Sequence, residues 1–141
     1  MCTVIIDTNM LLVPGQFKVD IFTELDRIMD EPYEITILEG SLQELEKIKK
    51  TGSGADKQAA KLGHMLLEHQ KKRESAASSN CKGLKILHSS KEKTVDDAIV
   101  EIAEDDTLVA TNDSGLKRRL LEKGVRVIYL KQQQHLAISA Y

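Results

Sequence analysis

Four acidic side chains, Asp7, Glu44, Asp96 and Asp113, are the residues whose type and placement could do chemistry. Asp7 ends the apolar run Val4-Ile5-Ile6, whose β-branched bias reads as a buried parallel strand. A strand core gains nothing from ending on a carboxylate. Carboxylates that converge without an intervening Lys or Arg repel one another, and at neutral pH they need a cation. With oxygen ligands only, and no His or Cys at ligand spacing, that cation is Mg²⁺ or Mn²⁺ rather than zinc. Such a site polarises a phosphate and activates a water for in-line attack. Thr8, Asn9, Thr111 and Asn112 adjoin two of the acids and carry hydroxyl and amide groups suited to positioning that water or the phosphate. The four histidines, at 64, 69, 88 and 135, are scattered and read as surface residues.

Each acid also has a plainer explanation. At roughly 100° per residue, Asp96 falls at the inner edge of the apolar arc formed by Val95, Ala98, Ile99, Ile102 and Ala103, whereas Asp97 falls beside Glu101 and faces solvent. A carboxylate beside the core is costly unless paired or metal-bound. The plainer account has Asp96 serving the helix dipole and Asp97 completing a cap with Thr94. Asp97 is the additional acid to consider. Glu44 stands three residues after Ser41, a capping-box spacing, and Asp113 could cap the helix that follows it.

The elements that must hold these side chains follow from periodicity. Residues 11–16 contain Pro14-Gly15 and read as a loop. A helix follows from Asp20, with Val19, Phe22, Leu25 and Met29 at helical spacing, and Pro32 ends it. Residues 33–38 form a second strand. Ser41 opens a helix that Gly52-Ser53-Gly54 breaks, and another runs from about 55 to 73. The Ser- and Ala-rich stretch 74–80 is the best candidate for a mobile loop. Residues 84–87 form a strand, and Thr94 caps a helix to about 104. Residues 107–111 form another strand, and 112–115 turn it into a fifth helix with Gly124 as its C-cap. Residues 125–130 are the last strand, leaving a polar tail around 132–134. Strands alternating with helices predict a parallel sheet covered on both faces. Right-handed crossovers then place every strand-to-helix loop on one edge, where all four acids would meet.

The 141 residues predict a single domain over 1–141, large enough for its own core. A net charge of −2 gives no global basic footprint, so a nucleic-acid partner would need local patches or a bound metal. Lys47, Lys49, Lys50, Lys57 and Lys61 form one cluster, Lys71 to Arg73 a second, and Lys117, Arg118 and Arg119 a third. Aromatics amount to 4%, too few for a stacked-base sheet of the RRM kind. Two cysteines make no disulfide framework, no run is long enough to span a membrane, and the N-terminus does not read as a signal peptide; a cytoplasmic protein is expected.

Four segments, Ile6-Asp7-Thr8-Asn9, Leu42-Gln43-Glu44-Leu45, Val95-Asp96-Asp97-Ala98-Ile99 and Ala110-Thr111-Asn112-Asp113, resemble the ordered acidic motifs of PIN-domain nucleases across essentially the whole chain. That resemblance implies a three-layer α/β/α sandwich around a mostly parallel sheet of about five strands. It implies a Mg²⁺- or Mn²⁺-dependent endoribonuclease with Asp7, Glu44, Asp96 and Asp113 as its acidic site. In the family the third aspartate stands seven residues before a small residue, which fits Asp96 and Ala103. Pro14-Gly15-Gln16-Phe17 and Val19-Asp20-Ile21-Phe22 resemble the branch holding archaeal PIN proteins and eukaryotic ribosomal-RNA processing nucleases. The implied roles are rRNA maturation or the toxin of a toxin–antitoxin pair. The implied partners are single-stranded RNA or an rRNA precursor, an antitoxin protein, and a second copy of the chain. The competing expectation is a PIN-fold module that docks RNA or a ribosome-assembly partner without cutting. A phosphatase of the haloacid-dehalogenase kind would need a second Asp where Asn9 stands.

Overall fold

Val4 and Ile6 point to one face of the sheet and Ile5 to the other, and all three are buried, as a strand covered on both sides requires. The computed structural model describes residues 1–73, 79–88 and 92–139. In chain order they form β1 (Cys2–Ile6), α1 (Thr8–Phe17), α2 (Ile21–Ile28), β2 (Tyr33–Leu38), α3 (Glu39–Thr51), α4 (Gly54–Lys72), β3 (Cys81–Leu87), α5 (Val95–Ile102), β4 (Thr107–Ala110), α6 (Ser114–Glu122), β5 (Arg126–Lys131) and β6 (His135–Ile138). The strands make a single sheet in the order β3-β2-β1-β4-β5-β6, parallel throughout except for β6.

Two apolar layers sandwich that sheet. On one face Val4, Ile6, Ile35, Ile37, Leu108 and Ala110 join side chains of α1 to α4, among them Met10, Leu25, Leu45 and Leu67. On the other, Ile5, Val109 and Val127 meet Ala98 and Ile99 of α5 and Leu116 and Leu120 of α6. The α/β/α sandwich expected from the alternation is therefore present. The first crossovers step outward from β1 to β2 to β3, and the chain then returns to place β4 on the far side of β1. Their divergence opens a crevice between the carboxyl ends of β1 and β4, the place where open α/β sheets bind ligands.

Several local expectations are corrected. Residues 11–16 are helix rather than loop: α1 runs through Pro14 and ends at Lys18, which is left-handed with φ 57° and donates its N–H to the Pro14 carbonyl. Pro14 forfeits one helical hydrogen bond. Burial of Met10, Leu11 and Val13, and the seating of Gly15 and Leu11 against Ala59 and Gly63 of α4, outweigh that loss. The helix expected from Ser41 starts at Glu39, directly after β2, with no side-chain cap. Ser41 is fully buried and its hydroxyl makes no hydrogen bond among the described residues, so it does not form the capping box with Glu44. β3 starts at Cys81, three residues early. Of the expected loop at 74–80, positions 74–78 lie outside the described residues. Ser79 donates its hydroxyl to Asp26, and Asn80 donates its side-chain amide to the Met29 carbonyl. His64 is half-buried between α3 and α4, touching Glu46 and Lys49, rather than a free surface residue.

The sixth strand is the largest departure. Gln132 and Gln133, in the expected polar tail, both take positive φ (55° and 58°), and Gln134 donates its N–H to the Lys131 carbonyl. This is the mirror-image geometry of a tight hairpin turn, normally signalled by Asn or Gly, and here it carries neither. What holds β6 lies far away in sequence. Glu24 of α2 accepts the Leu136 N–H at 2.9 Å, and Arg27 donates to the Leu136 carbonyl at 2.8 Å while gripping Glu24. The outward backbone groups of an edge strand are thereby satisfied. Glu24→Ala should cost about 1–3 kcal/mol, measured by denaturant titration, because it leaves that N–H without its acceptor. Its hydrogen bonds with Arg27 hold the Glu24 carboxyl below the usual range, so this contribution is present at neutral pH and falls away on acidification.

Candidate active site

Asp7 sits at the carboxyl end of β1 as the N-cap of α1, where its Oδ1 accepts the Thr8 N–H at 2.9 Å. It is 4% exposed. Its Oδ2 accepts the Thr111 hydroxyl at 2.8 Å and the Asn9 amide at 2.9 Å. Thr111 follows β4, the neighbouring strand across the crevice, and the Asp7 N–H donates to the Ala110 carbonyl. The acid is thus fixed from both strands at the switch point. Burial pushes its carboxyl up to about 6, against the pull of the Thr111 and Thr8 hydrogen bonds, and the nearby Asp96 and Glu44 charges push the same way.

Asp96 stands in the first turn of α5, half-buried, as the helix phase requires. Its carboxyl is raised first by burial and then by the charges of Asp113 and Glu44. Asp113 caps α6 by accepting the Leu116 N–H at 2.9 Å, and Glu44 projects from the exposed side of α3. The four acids come from β1, α3, α5 and α6: Asp7 feels the charges of Asp96 and Glu44, and Asp96 those of Asp113 and Glu44. Asp97 turns away: it is exposed, its backbone N–H completes the Thr94 cap, and its carboxylate pairs with Arg119 of α6 at 2.9 Å. That pairing holds the Asp97 carboxyl low, and Arg119 also draws the Asp96 carboxyl downward, so a cation stands beside the acidic group. Beyond the basic run Lys117 to Arg119, nothing local in the chain signals this pair, since it spans separate helices.

Three of the residues expected to position water or phosphate, Asn9, Thr111 and Asn112, carry atoms that hydrogen-bond within the fold. Thr111 is fully buried, and its hydroxyl donates to Asp7 while accepting from the Asn9 amide and the Asp113 N–H. Asn9 Oδ1 accepts the Asn112 N–H, and Asn112 Oδ1 accepts the Leu130 N–H. The Thr8 hydroxyl is buried without a partner among the described residues. Asn9, Thr111 and Asn112 thus brace the ends of β1, β4 and β5 around Asp7. Among the described residues, the Asn112 side-chain NH₂ has no hydrogen-bond partner.

Among the described residues no three His, Cys, Asp or Glu side chains are drawn together tightly enough to cage a metal ion. The donor set nevertheless suits a hard cation: it is all carboxylate and hydroxyl oxygen, and the acids raise one another's proton affinity. Mg²⁺ keeps several waters and takes only one or two carboxylates together with substrate phosphates, so it needs no closed cage.

Fold and site together define a doubly wound α/β domain whose switch point carries a braced acid and three acids around it. The chain belongs to the PIN-like domain family, whose model matches residues 4–133. It is 27% identical over 142 residues to Ribonuclease VapC4 of Methanocaldococcus jannaschii, covering 98% of this chain and 97% of that one. It is 28% identical over 136 residues to Ribonuclease VapC9 of Archaeoglobus fulgidus, covering 96% and 87%. Among solved structures, the PIN domain endonuclease Utp24 superposes with a TM-score of 0.69 at 24% identity, over 99% of this chain and 92% of that chain. No helix among the described residues is long and apolar enough to cross a membrane.

Proposed function

We propose that this chain is an endoribonuclease that cuts RNA phosphodiester bonds with Mg²⁺ or Mn²⁺ at its acidic edge. The observation that carries the reading is Asp7, buried at the switch point, held by both flanking strands and facing the charges of Asp96 and Glu44. Two relatives that match nearly end to end bear the name ribonuclease, which supports the same chemistry. Asp7, Asp96, Asp113 and Glu44 would hold the ion. When bound, it supplies Lewis-acid polarisation of the phosphate and lowers the pKa of an attacking water. Asp7 keeps its orientation through Thr111, Thr8 and Asn9, so the site loses no binding energy to rearranging it. Asp113 is fixed by the helix it caps, whereas Glu44 is exposed and free to swing toward the ion.

The test is cleavage of a labelled single-stranded RNA with Mn²⁺ or Mg²⁺, against chelator. Metal-dependent product is expected, and product that forms equally in chelator overturns the reading. Calorimetric titration of Mn²⁺ separates the neighbouring acids: Asp96→Asn should lose binding while Asp97→Asn keeps it. The reverse order would show that Asp97 rather than Asp96 belongs to the site. A chain that binds RNA but never cuts it is a docking module instead. Both roles implied by the sequence resemblance, rRNA maturation and toxin, use this reaction, and a small antitoxin co-purifying with the chain selects the second.

A further inference from the structure

Beside the acids, a groove of about 500 Å³ opens between the end of α1, the β4–α6 loop and β5. Asn9 and Thr111, which brace Asp7, also line it, so it continues directly from the acidic site. Its remaining wall has the chemistry of a nucleotide rather than of a peptide or a metal. The chain has only three Tyr and two Phe, yet Tyr129 and Phe17 both line this groove. Lys117 places its ammonium 4.2 Å from the centre of the Tyr129 ring, and among the described residues no carboxylate pairs with it. The side-chain amides of Gln16 and Gln133 make no hydrogen bond among the described residues, and the Asn112 NH₂ is likewise open. Tyr129 has its ring covered by a cation that lacks a carboxylate partner, beside three uncommitted amides; this set matches a nucleotide whose base takes the ring face while Lys117 leaves it for the phosphate.

We infer that this groove holds one nucleotide next to the bond being cut, its base displacing Lys117 from the Tyr129 ring and its phosphate taken by the displaced Lys117; this rests on the ribonuclease reading. The groove then sets which base is preferred beside the cut, through Gln16, Gln133 and Asn112. It also pulls the strand across the acids, since a phosphate held at Lys117 places its neighbour toward Asp7.

The experiment compares oligouridylate with an abasic sugar–phosphate oligomer of equal length, bound to the full chain in chelator and read by fluorescence anisotropy. Wild type should bind the base-bearing oligomer about tenfold more tightly. Tyr129→Ala should bring that ratio close to one, while Tyr129→Phe keeps it. Lys117→Ala should weaken both oligomers alike and flatten the salt dependence by about one phosphate contact. If Tyr129→Ala fails to fold, Tyr129→Leu, which keeps apolar bulk without a ring, gives the same reading. A wild type that binds both oligomers equally, or a ratio that survives loss of the ring, overturns the groove even if metal-dependent cleavage is found. Discrimination without any cleavage shows a nucleotide-binding groove but ends the nuclease reading, and with it the placement beside a bond being cut.

Discussion

Asp7→Asn is expected to remove metal-dependent cleavage by about 10²–10³-fold or more while making the metal-free protein more stable at neutral pH. The loss of rate follows from the position: every other acid of the site comes from a more exposed helix, and Asp7 alone is fixed from two strands. The gain in stability follows from the same burial. The carboxyl stands near 6 in the fold against an ordinary 3.8, so the folded state holds its proton more tightly than the unfolded chain. A raised carboxyl contributes stability that is complete below the unfolded value and is lost as the pH rises through the folded one. Above pH 6 the buried charge therefore costs on the order of 3 kcal/mol.

Asn removes that charge and keeps the shape. One of its polar atoms must meet a donor rather than an acceptor, because Oδ1 takes the Thr8 N–H and Oδ2 takes the Thr111 hydroxyl and the Asn9 amide. The Thr111 hydroxyl already accepts from the Asn9 amide and the Asp113 N–H, so one donor-to-donor contact remains and takes back part of the gain. Thermal melting in chelator should show the variant above wild type at pH 7.5, with the gap closing as the pH falls from 6 to 4. Taking the difference between the two proteins removes the titration of Asp96 and the other shared groups. Adding Mn²⁺ should then raise the wild type and leave the variant unmoved, since only the wild type would bind the ion. A gap that widens on acidification would show that the Asp7 charge is compensated in the free protein.

Much of this site is legible in the amino-acid sequence because its parts announce themselves locally. The run Val4-Ile5-Ile6 marks the strand, its end marks the edge, and helix phase alone separates Asp96 from Asp97, which the fold holds half-buried and solvent-facing respectively. Glu44 is not settled that way, since the spacing from Ser41 suits a cap equally well; only the start of α3 at Glu39 removes that option. The departures share a physical cause. Pro14-Gly15 is a turn signal by local rules, and the packing of α1 on α4 overrides it. β6 depends on Glu24 and Arg27, more than a hundred residues away, and its turn uses two glutamines in a conformation that glutamine rarely chooses. Thr111 and Asn9 carry the atoms expected of substrate-positioning groups, yet those atoms are engaged by Asp7; the Thr111 pairing spans 104 residues, which no window of sequence displays.

Gly63→Ala should lower stability by about 3 kcal/mol or more and cleavage along with it. A β-carbon built at Gly63 would lie 2.1 Å from the Leu11 carbonyl oxygen and 3.1 Å from its carbon. Those are backbone atoms, and they cannot rotate aside as a flexible side chain would. Nearby, a β-carbon at Gly15 would come within 2.5 Å of the Ala59 Cα, so the two helices touch backbone to backbone at both points. Relief requires α1 to move away from α4, breaking the burial of Met10, Leu11 and Val13. Overpacking of this kind costs about 1–3 kcal/mol where side chains can adjust, and more where the backbone must shift. The consequence reaches the site because α1 begins at Asp7 and Thr8. A tilted α1 swings the Thr8 N–H and the Asn9 amide off the carboxylate, and a misplacement near 1 Å suffices for a hundredfold loss of rate. Gly54→Ala is the matched control, for a β-carbon there meets nothing within 4 Å. Denaturant titration should show Gly63→Ala strongly destabilised and Gly54→Ala close to wild type. Equal stability of the two would mean that α1 and α4 are not seated backbone to backbone at all.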